Sequence, residues 1–161
     1  MIRKQYLKFL DGLFKVIFAL LAAIVAAMVV IGFAQVFYRY VLMAALFWSE
    51  ETLRYLHIWA IFLGAGLGVS RGMHVAIDAI FIALGPKMGA VLARAVQLIG
   101  CIFAIIIIVV GWNFSTFNTA VVSPTMQIPM LYVYIAIPVG GVLMLLFQIG
   151  EMLKPRKEKL S

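Results

Sequence analysis

Residues 95–150 contain no Asp, Glu, Lys or Arg; the run is bounded by Arg94 and Glu151. A soluble domain needs charge on its outer surface and cannot present so long an uncharged stretch to water. A bilayer interior requires it. About 20 residues cross the hydrocarbon once, so the run must fold back on itself and cross twice.

The rest of the chain agrees. It has 161 residues, 66% of them hydrophobic, which places it among polytopic helical membrane proteins. The net charge of +7 does not indicate nucleic acid, because the basic residues flank apolar spans and line no aromatic groove. Cys101 is the single cysteine, so it forms no intramolecular disulfide and no metal-ligand spacing.

Four spans are predicted in one membrane domain, at about 13–38, 49–70, 87–112 and 129–152, with a short interfacial helix at about 74–84. Val16–Tyr38 carries no charge and exceeds the ~7–15-residue core of a signal peptide, so the first span reads as a retained anchor. Ala19, Ala23 and Ala27, with Ala22 and Ala26 beside them, suggest a helix-packing face there. In the second span, Ala60, Gly64, Gly68 and Gly72 form a second small-residue ladder. Ser49 is placed as its N-cap, and Glu50 and Glu51 suit the helix dipole. The polar stretch 113–126 reads as the turn before the last span, in which Pro138 should kink the helix.

Lys and Arg set the orientation. With four spans, Arg3, Lys4, Lys8, Lys15, Arg71, Lys87, Arg94, Lys154, Arg156, Lys157 and Lys159 fall on one side and only Arg39 and Arg54 on the other. The positive-inside rule then makes both termini cytoplasmic.

Arg39, Glu50, Glu51 and Arg54 are the one dense group of charges at a span boundary, on the outer side. Glu50 and Glu51 lie four and three residues before Arg54, within reach on one helix face, and the 40–49 connection is short enough to bring Arg39 alongside. The cluster reads first as a salt-bridged clamp and second as a docking surface; a proton-coupling carboxylate would lie mid-span, away from an arginine. Tyr55–Ser70 rises only ~24 Å against a ~30 Å hydrocarbon core, so Arg54 lies at the membrane edge.

Other constellations carry less. His57 and His74 are roughly 25 Å apart along one helical path and cannot share a haem. His74 and Asp78 fit the polar face of an interfacial helix. The stretch GAGLG at 64–68 lacks the Lys-Ser/Thr of a phosphate loop. Tyr38, Tyr40, Trp48, Trp59, Trp112, Tyr132 and Tyr134 fall mostly near predicted span ends and fit an aromatic belt. No nucleophile–base pair or metal-ligand set stands out, so neither enzyme activity nor a cofactor is expected.

Arg-Tyr-Val at 39–41, Trp-Ser-Glu-Glu at 48–51, SRGMHVAID at 70–78 and MQIPMLYVYIAIPVG at 126–140, in that order and spacing, resemble the small, Q-type membrane subunit of tripartite ATP-independent periplasmic (TRAP) transporters. The likeness covers about residues 13–152 and is to the unfused form. It implies a bacterial inner-membrane protein in a sodium-coupled importer of organic acids, such as C4-dicarboxylates or sialic acids. Its implied partners are a large M-type membrane subunit, which carries the substrate and sodium sites, and a periplasmic substrate-binding protein. The small subunit would brace the former and help dock the latter. A self-sufficient homodimeric transporter and the membrane anchor of a redox complex are the competing classes.

Overall fold

The computed structural model describes residues 2–70 and 85–153. The expected interfacial helix, with His74 and Asp78, and the residue Gly72 lie outside them, as does the C-terminal basic tail. The order of elements is α1 (Ile2–Tyr40), α2 (Ser49–Ser70), α3 (Gly85–Phe117), a single turn α4 (Leu131–Tyr134) and α5 (Ala136–Leu153). Four segments are long and apolar enough to cross a bilayer: Arg3–Tyr40, Ser49–Ser70, Arg94–Phe117 and Leu131–Leu153.

α1 begins about three turns before its predicted start. Lys4, Lys8, Asp11 and Lys15 point outward along this extension, while Tyr6 and Leu10 turn inward. The Tyr6 hydroxyl donates to the Leu146 carbonyl at 3.0 Å. Leu10 is buried in one cluster with Leu63, Leu67, Leu143 and Phe147. Tyr6, Leu13, Phe14, Ile17, Leu21 and Ile24 continue that contact at three- and four-residue spacing. The α1 face that packs within the chain is therefore bulky. Most of the alanine ladder lies off that face: Ala19, Ala22, Ala23 and Ala26 are exposed, and Ala27 is half-buried.

α3 runs past its predicted end, through residues that read as turn. The Ser115 hydroxyl donates to the Gly111 carbonyl at 2.7 Å, Thr116 to Trp112 at 3.0 Å and the Asn118 amide to Phe114 at 2.7 Å. These bonds back to the preceding turn satisfy polar side chains without ending the helix, so the polar stretch extends it by more than a turn.

The last span is interrupted at Ile135, between α4 and α5. Pro138 supplies no N–H to the Tyr134 carbonyl, and its ring crowds the preceding turn, so the break falls where that bond is missing. Ile135 N–H still donates to Leu131 and Val139 N–H to Ile135, which keeps the two pieces aligned.

α5 is the central helix, packed against α1, α2 and α3. Glycines make that possible. A Cβ at Gly140 would lie 2.7 Å from Phe62 Cβ and 2.9 Å from the Phe62 carbonyl oxygen. One at Gly66 would lie 2.8 Å from Leu143 Cβ, and one at Gly111 would lie 2.6 Å from Ile137 Cγ2. Gly141 faces Ile107 and Ile108, and Gly150 receives Leu10. Lipid is as apolar as leucine, so close backbone approach and the dispersion contacts it allows must hold such a bundle together.

The predicted glycine ladder lies elsewhere. Among the described residues, a Cβ at Gly64 would meet only Leu21 Cδ2, at 3.8 Å, and one at Gly68 would meet nothing within 4 Å. Gly66, between them, faces α5. Ala60 is half-buried and lines a groove between α1 and α2. Within the described residues, this ladder is not the close-packed face.

Candidate functional site

The charged group at the N-terminal end of α2 sits beside the loop that joins α3 to α4. Two connections build this end of the molecule. After α1, Val41 N–H donates to Phe37 and Ala44 N–H to Tyr38, with Met43 at φ 51° turning the chain. The Ser49 hydroxyl then donates to the Leu46 carbonyl at 2.7 Å and is fully buried. Ser49 thus closes the turn before α2, a role different from the N-cap predicted for it.

The α3–α4 loop is folded on itself. Ser123 N–H donates to Ile128 O at 2.9 Å, Ile128 N–H returns to the Ser123 hydroxyl at 3.1 Å, and Met130 N–H donates to Val121 O at 2.8 Å. Val122 and Pro129 form an antiparallel bridge between them. Gln127, at φ 54°, turns the tip, and its side-chain amide donates to the Ser123 and Pro124 carbonyls.

Glu51 ties this loop to α2. Its Oε2 accepts from Thr125 N–H at 3.1 Å and Met126 N–H at 2.9 Å, and its Oε1 accepts from the Tyr55 hydroxyl. Glu51 is buried, with 8% of its surface exposed, although the next residue toward the terminus, Glu50, is exposed. Two adjacent backbone donors aimed at one carboxylate oxygen make charge-assisted bonds, stronger than neutral ones. Thr52 reinforces the joint by reaching Met126 Sδ at 3.2 Å, and Trp59 Nε1 donates to the Tyr132 carbonyl at 3.2 Å.

The predicted salt-bridged clamp therefore takes another form. Among the described residues, no ion pair joins Arg39 or Arg54 to Glu50 or Glu51. Arg39 Cζ lies 5.9 Å from the centroid of the Tyr40 ring. Glu50 accepts from Gln35 Nε2 at 3.5 Å. Arg54 is exposed and lines two cavities. The reason is geometric. The α3–α4 loop presents preorganised N–H groups to Glu51, whereas the guanidinium groups lie on an outward face where they remain solvated or meet the headgroup layer. The loop partners were not legible from helix spacing, because they come from residues more than seventy positions away.

Around this joint, Phe47, Glu50, Arg54, Val121, Val122 and Thr125 form a mixed apolar and charged rim on a cavity of about 410 Å³. No three His, Cys, Asp or Glu side chains are grouped to hold a metal among the described residues. The arrangement is a hydrogen-bonded loop fastened to the start of α2 by one carboxylate, with an exposed rim beside it.

Residues 28–158 match the family described as "Tripartite ATP-independent periplasmic transporters, DctQ component". The chain is 35% identical over 102 residues to a C4-dicarboxylate TRAP transporter small permease protein DctQ of Rhodobacter capsulatus, covering 62% of this chain and 44% of that protein. It is 29% identical over 96 residues to the protein of the same description from Vibrio cholerae, covering 59% and 41%. A Haemophilus influenzae protein described as a TRAP transporter small permease is 30% identical over 121 residues, 75% of each chain. The aligned region spans less than half the length of the first two relatives.

Proposed function

This chain belongs to the DctQ component family of tripartite ATP-independent periplasmic transporters, and from that membership we propose that it is the small membrane subunit of a sodium-coupled importer of organic acids, bracing a large membrane subunit and helping to dock a periplasmic substrate-binding protein. The family belongs to the bacterial inner membrane, and the four long apolar helices suit that setting. The orientation that goes with this reading has both termini in the cytoplasm and the Glu51 joint facing the periplasm.

The observation that carries the proposal is the Glu51 joint itself. One buried carboxylate fastens the α3–α4 loop to the start of α2, and the rim beside it is exposed. A docking surface benefits from such rigidity, because little conformational freedom is then lost when a partner binds. The interior supports a bracing role. Positions 95–150 carry no charge, so a carboxylate-bearing substrate crossing α3 and α5 would lose its hydration without a cation to compensate. Substrate class is read from the relatives as C4-dicarboxylate or a similar organic acid, and catalysis of bond chemistry forms no part of the proposal.

Proteoliposomes provide the test. Under an inward sodium gradient, this chain alone should give no uptake of labelled C4-dicarboxylate or sialic acid. Uptake should appear when the large subunit and binding protein are added, and should fail when this chain is omitted. Sodium-driven uptake by the lone chain would restore the autonomous-transporter reading.

A further inference from the structure

Two cavities meet at Arg54. One is a groove of about 780 Å³ between α1 and α2, whose walls include Leu21, Val25, Val29 and Ile61, with Arg54 and His57 toward its outer end. The other is the cavity of about 410 Å³ beneath the rim, lined by Glu50 and Arg54 among others. Glu50, Arg54, His57 and Ile61 are all exposed and recur at three- and four-residue spacing, so they lie in a row along one face of α2. From inside to outside, that row passes from apolar groove wall to imidazole and guanidinium, then to a carboxylate.

This order suits one kind of molecule. With α2 spanning the bilayer, its length puts Arg54 near the edge of the hydrocarbon, toward the lipid phosphates, and Arg54 makes no hydrogen bond or ion pair among the described residues. A guanidinium there takes phosphate oxygens through paired N–H donors, and His57 adds a further donor one turn deeper. Glu50, one turn outward, is bonded only weakly, to Gln35 at 3.5 Å. It would repel a purely anionic headgroup and attract an ammonium group.

We infer that this face of α2 binds a phospholipid with an amine-bearing headgroup: one acyl chain lies in the α1–α2 groove, the phosphate meets Arg54 and His57, and the ammonium meets Glu50. The inference is independent of the transport role proposed above, since it needs only that α2 spans the bilayer.

Native mass spectrometry of the full chain, released from detergent with equal amounts of dioleoyl phosphatidylethanolamine, dioleoyl phosphatidylglycerol and dioleoylglycerol, separates the contributions. Phosphatidylethanolamine should be retained at least about tenfold over dioleoylglycerol, with phosphatidylglycerol between them. Arg54→Gln with His57→Gln should bring phosphatidylethanolamine down to the dioleoylglycerol level. Glu50→Gln should abolish only its advantage over phosphatidylglycerol. Equal retention of the three lipids by the unaltered chain, a comparison that depends on no variant, overturns the inference; so does an unchanged preference in the double variant. As a second measurement, Ile61→p-benzoylphenylalanine is photolysed in intact cells. An adduct of phospholipid mass supports the site, and an adduct with another protein or a second copy of this chain overturns it.

Discussion

Adding one methyl group at Gly140 tests whether α5 is held by close backbone approach. A Cβ built there lies 2.7 Å from Phe62 Cβ and 2.9 Å from the Phe62 carbonyl oxygen. The oxygen belongs to the backbone, so a rotamer change in Phe62 does not relieve the clash. Carbon atoms settle near 3.5–4.0 Å, so α2 and α5 must separate by about 1 Å locally. A gap of that size forfeits a quarter to a half of each dispersion contact it opens, including those around Gly66 and Leu143 on the same seam. Overpacking of this kind costs about 1–3 kcal/mol, and the better helix propensity of alanine returns about 1 kcal/mol. Because the clash includes a backbone oxygen, the overpacking falls in the upper part of that range, about 2–3 kcal/mol, and Gly140→Ala should destabilise by roughly 1–2 kcal/mol. Gly68→Ala should do the opposite: with nothing among the described residues within 4 Å of its Cβ, the propensity gain of about 0.5–1 kcal/mol remains. Reversible unfolding in mixed micelles of dodecyl maltoside and increasing dodecyl sulfate, followed by circular dichroism, gives both numbers on one scale. The reasoning fails if Gly140→Ala matches the unaltered chain, or if Gly68→Ala destabilises as much as Gly140→Ala.

The Glu51 joint predicts a division between neighbouring carboxylates. Glu51→Gln removes the charge that strengthens the Thr125 and Met126 bonds, so those amides should exchange with deuterium about tenfold faster, while Glu50→Gln leaves them unchanged; equal exchange in both variants contradicts the assignment. In the assembled transporter, Glu51→Gln should reduce uptake without altering substrate binding to the isolated periplasmic protein, and unchanged uptake would show that a fixed loop is not needed. Cysteine substituted at Thr119 should react with an impermeant thiol reagent in cells whose outer membrane is permeabilised, whereas cysteine at Ile2 should be protected; the reverse pattern inverts the topology. Pro138→Ala restores an N–H to the Tyr134 carbonyl and should raise helix content slightly by joining α4 to α5; an unchanged break at Ile135 would place its cause elsewhere.

Sequence by itself determined that this chain lies in a membrane, that its elements are helices, and how many are long enough to cross. Those are properties of composition summed along a segment. Transferring the two apolar stretches of residues 95–150 into hydrocarbon is favourable whatever their neighbours, and a backbone without water must bond to itself. Order and spacing of Trp-Ser-Glu-Glu and the other short motifs sufficed for the family. Which faces meet was not so determined. In water, an apolar stripe marks the packed side of a helix; in lipid, the packed and lipid-facing sides are equally apolar, so Gly64 and Gly68 look no different from Gly66 until α5 is placed beside them. The same holds for α1, where bulky Leu10, Phe14 and Ile17 take the contact and the alanines do not. Helix spacing brought Glu51 within reach of Arg54 on paper. Only the tertiary fold carried Thr125 and Met126 across on the α3–α4 loop, and their two backbone N–H donors hold the carboxylate that the exposed Arg54 guanidinium does not.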